Sequence, residues 1–205
     1  MKNSFVLGIL LLIFVASVHG CSSDDDNILN TTELTQSEKN DLLVIREEEK
    51  LARDVYLYAN DKYHAGPFAN ISNSEQRHMD AVLTLLEKYN ISDPASSERG
   101  IFQNEQLQNL YNELTAKVDS SYLDALIVGC TIEDLDIKDI QEFETRTANE
   151  EIFDVYNFLK CGSRNHLRAF YRITVGEGGI YNPQFISQEE FDSIINSSHE
   201  QCNSK

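Results

Sequence analysis

From residue 39 onward, apolar positions recur every three or four residues, the period of a helix with one face in a core. Over 39–63 the stripe is Ile45, Glu49, Ala52, Tyr56, Ala59 and Tyr63. His64-Ala65-Gly66-Pro67 breaks it, and a second helix is predicted to start near Asn70 to Ser72, both reasonable caps. Its stripe is Ile71, Glu75, His78, Val82, Leu85 and Tyr89. Asp93-Pro94 and Gly100 mark 90–103 as a loop, and Leu107, Leu110, Tyr111, Leu114 and Val118 predict a short helix after it. A third long helix is predicted over 121–144, with Leu123, Leu126, Cys130, Glu133, Ile137 and Ile140 on one face. A fourth, over 149–174, carries Ile152, Val155, Leu159, Gly162, His166, Phe170 and Ile173, and Gly176, Gly178 and Gly179 end it. Phe191, Ile194 and Ile195 suggest a last short helix over 187–196.

The predicted fold class is therefore all-α. Two helical hairpins are joined by a long crossover that carries a short helix. That is the connectivity of a ferritin-like four-helix bundle, not of an up-and-down one.

Five polar residues sit where the stripes demand apolar ones: Glu49, Glu75, His78, Glu133 and His166. A carboxylate facing a core costs several kcal/mol unless it is paired or binds a metal. Glu75-Gln76-Arg77-His78 is a Glu-x-x-His unit, which puts both groups on one helical face a turn apart. Carboxylates from two helices with Glu-x-x-His from others make di-iron and di-manganese carboxylate bundles. Residues at one level of an antiparallel hairpin lie symmetrically about its turn. Glu49 pairs with Glu75 about 62 and with His78 about 63.5, while Glu133 pairs with His166 about 149.5, so each hairpin can bring its groups to one level.

A faint internal repeat aligns Ser74-Glu75-Gln76-Arg77-His78 with Gly162-Ser163-Arg164-Asn165-His166. The second copy has Ser163 where the first has Glu75. Asp136, one turn beyond Glu133, is the candidate replacement carboxylate, against the plainer reading of Asp134, Asp136 and Asp139 as an acidic helix surface. Glu48, on the stripe Val44, Glu48, Leu51, Val55, competes with Glu49, and the glutamates not chosen are expected on a solvated face. The plainer reading of Glu75 and His78 is a buried ion network with Arg77, Arg164 or Arg168. Tyr56 is more ordinarily core than a redox neighbour of a metal, and His64 and His199 are expected at the surface.

Four runs carry a resemblance: Arg46-Glu47-Glu48-Glu49-Lys50-Leu51-Ala52-Arg53-Asp54-Val55-Tyr56, Ser74-Glu75-Gln76-Arg77-His78, Ile132-Glu133-Asp134-Leu135-Asp136-Ile137, and Gly162-Ser163-Arg164-Asn165-His166-Leu167-Arg168-Ala169-Phe170. Over about residues 40–175 the chain resembles a bacterial ferritin-like family of unknown function. Glu49-x-x-Ala52 with Tyr56 seven residues on also resembles the first helix of ferritins and rubrerythrins, where the Glu binds iron and the Tyr sits beside the site. The resemblance implies metal binding, for which the stripes offer Glu49, Glu75, His78, Glu133 and His166, with Asp136 as the replacement carboxylate. It also implies iron oxidation, peroxide reduction or oxygen chemistry, with Tyr56 beside the metal.

Composition fits this picture. The chain has 205 residues, 41% hydrophobic, with only 9 Gly and 3 Pro, which argues against a turn-rich β fold. The net charge of −17 disfavours nucleic acid, whose binding needs a basic face. Residues 1–20 read as a signal peptide: Lys2, then an uncharged apolar run from Phe5 to Val18, too short for a span of about 20 residues. Val18-His19-Gly20-Cys21 resembles a bacterial lipobox, with Cys21 lipidated and 21–38 a flexible tether. The ferritin-like domain would occupy 39–196, with a similarly flexible tail over 197–205. Cys130 is level with about residue 169, so Cys161 lies ~12 Å from it along the axis, too far for a disulfide. A bond from Cys202 to Cys130 or Cys161 would staple the tail, with Cys130 slightly preferred.

Two functions stand against each other. One is a lipid-anchored envelope oxidoreductase or ferroxidase holding one or two ions of iron or manganese, or zinc as a further option. The other is a non-catalytic envelope module with a structural or degenerate site; cation sequestration is a weaker third. The expected partners are metal ions, a bacterial membrane through Cys21 and, as an open option, a second copy of the chain.

Overall fold

A computed structural model describes residues 33–203. The expected signal peptide and lipidated Cys21 lie outside the described residues. Six helices and no strands occur among the described residues: α1 Gln36–Tyr63, α2 Gly66–Lys88, α3 Glu105–Val118, α4 Tyr122–Glu144, α5 Glu150–Gly176 and α6 Gln188–Ile195. None is long and apolar enough to cross a membrane. The four long ones form a four-helix bundle.

Local chemistry sets the helix ends. Thr35 and Glu38 form a capping box, so α1 begins at Gln36, before the apolar stripe does. Pro67 lies in the first turn of α2, where its missing N–H costs nothing. The second helix therefore starts at Gly66, not near 70–72. His64, left-handed at φ 49°, closes α1, and the turn is only two residues long.

Contacts at the two ends give the topology. At one end Lys88 of α2 meets Glu151 of α5, and Arg146 beyond α4 bonds Asp41 of α1 at 2.9 Å. At the other, the rings of Tyr63 and Tyr122 lie 5.5 Å apart. The α2–α4 connection thus runs the length of the bundle, and α2 and α4 point the same way.

Buried polar groups on α1 fasten that crossover. Arg46 holds Asp93 through two bonds of 3.0 and 2.7 Å. The fully buried Lys50 bonds Asp54 at 2.5 Å and the Glu98 carbonyl at 2.9 Å, while Asp54 accepts from the Gly100 N–H. Glu47 accepts from the Gln103 and Asn104 N–H groups. Glu47, expected on a solvated face, and Glu48, the competitor of Glu49, are both buried because the crossover and α3 cover them. Asp134 is buried too: it accepts from the Tyr181 hydroxyl and from the N–H groups of Gln184, Phe185 and Ile186, fixing the segment before α6.

The tail differs from expectation in two respects. It is not loose: Glu200 bonds Arg164 and Arg168 of α5. Its disulfide is Cys161–Cys202, with Cα atoms 5.6 Å apart, not Cys130–Cys202. The arginines draw the tail along the outside of α5 to the level of Cys161. Cys130 faces inward, its sulfur 3.8 Å from the Thr174 hydroxyl.

The apolar core falls into two clusters. One gathers Leu51, Val55, Tyr56, Phe68, Leu126 and Phe170. The other gathers Leu42, Ile45, Val82, Ile140, Ile152 and Leu159. Between them along each long helix come Glu49, Glu75, Glu133 and His166, a polar layer inside the bundle.

Candidate metal centre

The five polar stripe residues meet in that layer. Glu49 of α1 is fully buried, Glu75 and His78 of α2 are each 1% exposed, Glu133 of α4 is fully buried, and His166 of α5 is 8% exposed. His78 Nδ1 lies 3.0 Å from Glu49 Oε2 and 2.8 Å from Glu75 Oε2. His166 Nδ1 lies 2.8 Å from Glu75 Oε1 and 3.5 Å from Glu133 Oε2. Two triads result, Glu49–Glu75–His78 and Glu75–Glu133–His166, and each has its ligand atoms within 4.8 Å of one another. Glu75 belongs to both.

The atoms converge without satisfying each other. Glu49 Oε1, Glu75 Oε1, Glu133 Oε2 and His166 Nδ1 are buried and lack hydrogen-bond partners. The 2.8 Å approach of His166 to Glu75 lacks the angle of a hydrogen bond. Groups arranged in this way fit a cation between them better than a proton along one line. The arginines of the plainer reading are elsewhere: Arg77 bonds Asn73 and Ser74, and Arg164 and Arg168 hold the tail.

Electrostatics express the same shortage of positive charge. Burial pushes the Glu49 carboxyl up against the pull of His78, and it raises Glu133 beside Glu75. Burial also works upward on Glu75, but the imidazoles of His166 and His78 outweigh it and hold this carboxyl well below its usual range. Burial opposes charge on His78, yet Glu49 and Glu75 raise it to about 9; Glu75 and Glu133 raise His166 in the same way.

Neighbours fix the geometry. Tyr56, fully buried, donates to Glu133 Oε1 at 2.6 Å. The His78 ring stands edge-on to Phe158 and stacks on His166, with centroids at 5.2 and 5.5 Å. It lies so close to α5 that a Cβ at Gly162 would come within 2.4 Å of His78 Nε2. Ser163 turns its hydroxyl back to the Leu159 carbonyl at 3.2 Å. Asp136 is 3% exposed and near the centre but belongs to neither triad. Burial, then Glu49 and Glu133, keep its carboxyl well above the usual range.

A family model for an uncharacterized protein domain, DUF2202, matches residues 38–198. The chain belongs to the DUF2202 family. The uncharacterized protein MJ0754 of Methanocaldococcus jannaschii is 52% identical over 168 residues, covering 82% of this chain and 91% of that protein. The crystal structure of hypothetical protein MJ0754 aligns with a TM-score of 0.80, covering 82% of this chain and 96% of that one.

Several residues that shape this DUF2202 site escaped the sequence reading. Gly162 stood in its stripe as a small core residue, and only its contact with His78 gives it a role. Glu47 is buried because the crossover covers it, which no spacing on α1 signals. The docked Glu200 had no local signal either, since its arginines lie more than thirty residues away.

Proposed function

We propose that this DUF2202 chain is a cell-envelope lipoprotein whose ferritin-like bundle holds two iron or manganese ions for oxidoreductase chemistry, either iron oxidation or peroxide reduction. The observation that carries the reading is Glu75. One buried carboxylate stands 2.8 Å from both His78 and His166, so it serves two cation positions at once. Mixed carboxylate and imidazole donors suit iron, manganese or zinc. The bound metal would supply the redox chemistry, which the protein's own groups lack. The chain's residues hold and isolate it. Glu49 and His78 would serve one ion and Glu133 and His166 the other. Tyr56 orients Glu133, and the two apolar clusters keep bulk water from the layer.

Ser163 favours a second reading, a structural or single-ion site in a non-catalytic module. Its hydroxyl bonds a backbone carbonyl and adds no anionic donor. Metal analysis of the full chain, purified without a His tag, separates the two. About two irons or manganese per chain, absent from Glu75→Ala/His78→Ala, is expected. One ion supports the second reading, and none after reconstitution with iron, manganese and zinc sinks both. The envelope half of the proposal rests on Cys21. Cys21→Ser is expected to release the chain from membranes and abolish the lipid mass on its N-terminus; unchanged membrane association would remove that half.

A further inference from the structure

Two buried carboxyls beside the triads have no assigned work. Glu48 precedes Glu49 on α1, and Asp136 follows Glu133 by one turn on α4. They are 7% and 3% exposed, and Glu48 Oε2 and Asp136 Oδ2 have no hydrogen-bond partner. Such groups cost several kcal/mol if nothing compensates them. Both line a cavity of about 30 Å³ between α1, α3 and α4. They are the only charged groups in its lining; Leu107, Leu110 and Leu114 of α3 form the outer wall. That volume admits a single water or small ion.

The carboxyls continue outward. Asp139, the next turn along α4, is half-buried, interacts with Glu48 and pairs with Lys138 at 2.8 Å. Inward, Glu49 and Glu133, one from each triad, act most strongly on the Asp136 carboxyl after burial itself. A stepwise line of carboxyl groups thus runs from the α3 side of the bundle to the candidate centre, through a chamber of one-ion size, and an arriving cation would displace the protons that burial favours on Glu48 and Asp136.

We propose that Glu48 and Asp136 form a relay that passes a divalent cation from the α3 side of the bundle into the two triads. The proposal rests on the metal-centre reading. Two carboxylates with free oxygens can hold a partly dehydrated cation briefly without the third ligand that would trap it. The leucines of α3 exclude larger solutes.

The test is the rate of Co²⁺ loading into the metal-free full chain, followed by stopped-flow absorbance, with the final stoichiometry from elemental analysis. Glu48→Gln removes a relay charge, and Leu110→Phe narrows the chamber without touching a polar group. Circular dichroism checks that each is folded. Both are expected to load about tenfold more slowly, equivalent to about 1.4 kcal/mol at the barrier, and to reach the wild-type stoichiometry. Glu113→Gln, exposed on α3, is expected to load like wild type. A wild-type rate in either variant overturns the relay, as does a lower stoichiometry in Glu48→Gln, which would make Glu48 a ligand. A wild-type chain that takes up no Co²⁺ overturns the metal centre and the relay together, whereas the variants bear on the route alone.

Discussion

At the scale of single residues, the candidate centre depends as much on a missing side chain as on its polar groups. Gly162 lets α5 approach until His78 Nε2 occupies the space a Cβ would need. The ring cannot retreat, because Phe158 meets its edge and His166 its face. Gly162→Ala is therefore expected to destabilise the metal-free chain by about 1–3 kcal/mol, as overpacking does. It should also weaken binding at the Glu49–Glu75–His78 triad more than at the other, since His166 Cε1 is 3.7 Å from the added atom. Urea denaturation and a two-step Co²⁺ titration measure the two effects. An equal loss at both triads would mean that α5 shifts as a whole and the glycine has no local role. Glycine's usual cost within a helix runs the other way, so a more stable variant would also count against this account.

At the scale of elements, the C-terminal segment is an addition to the bundle held by chemistry that can be switched off. Arg164 and Arg168 hold the Glu200 carboxyl, against the upward push of partial burial, at about 2 instead of its ordinary 4.5. A carboxyl lowered in the folded state stabilises fully above its ordinary value, and that stabilisation is lost as pH falls toward the folded one. Part-exposed pairs of this kind contribute about 1 kcal/mol together, or roughly 2–4 °C in a domain of this size. Wild type is thus expected to melt above Glu200→Gln by that margin at pH 7, with the gap narrowing below about pH 4.5. No gap at pH 7 would show that the tail is held by the Cys161–Cys202 bond without help from Glu200, and a gap independent of pH would show that the Glu200 charge is not what holds it. The tail also marks the boundary of what the sequence discloses. Helix periodicity is local, so the stripes that carry Glu49, Glu75, His78, Glu133 and His166 can be read directly, and symmetry about each turn brings them to one level. Pairing across a segment without periodicity cannot be read in this way. Helix levels separate Cys130 from Cys161 but say nothing of which one Cys202 reaches; the arginines of α5 route the segment, and they lead it to Cys161. Burial of Glu47 and Asp134 was illegible for the same reason, since the crossover and the segment before α6 cover them from a distance in the chain.

For the whole molecule, the unusual fact is a charged layer through the middle of an apolar bundle. Glu48, Glu49, Glu75, Glu133 and Asp136 outnumber the two imidazoles there, while Lys50 is committed to Asp54. Without metal, burial favours protons on Glu48, Glu49, Glu133 and Asp136, while Glu75 stays ionised between the two imidazoles, and His78 keeps its proton up to about pH 9 between Glu49 and Glu75. A histidine raised in the folded state stabilises fully below its ordinary value of 6.5, and that contribution is lost as pH rises through 9. A metal ion requires the neutral imidazole, so its binding strengthens over the same interval. The two tendencies oppose each other and can be separated in one experiment. At a free metal concentration a hundred times the dissociation constant, one site adds about 2.7 kcal/mol, roughly 5–10 °C of melting temperature for a domain of this size. Melting of the loaded chain against the chelator-treated chain should therefore differ by about that much at pH 7. At constant total metal the difference should widen toward pH 9, because the metal-free chain weakens while the loaded one gains. A difference that stays flat would place the metal away from His78. A difference that shrinks would mean that protons, not cations, are what the layer is built to hold.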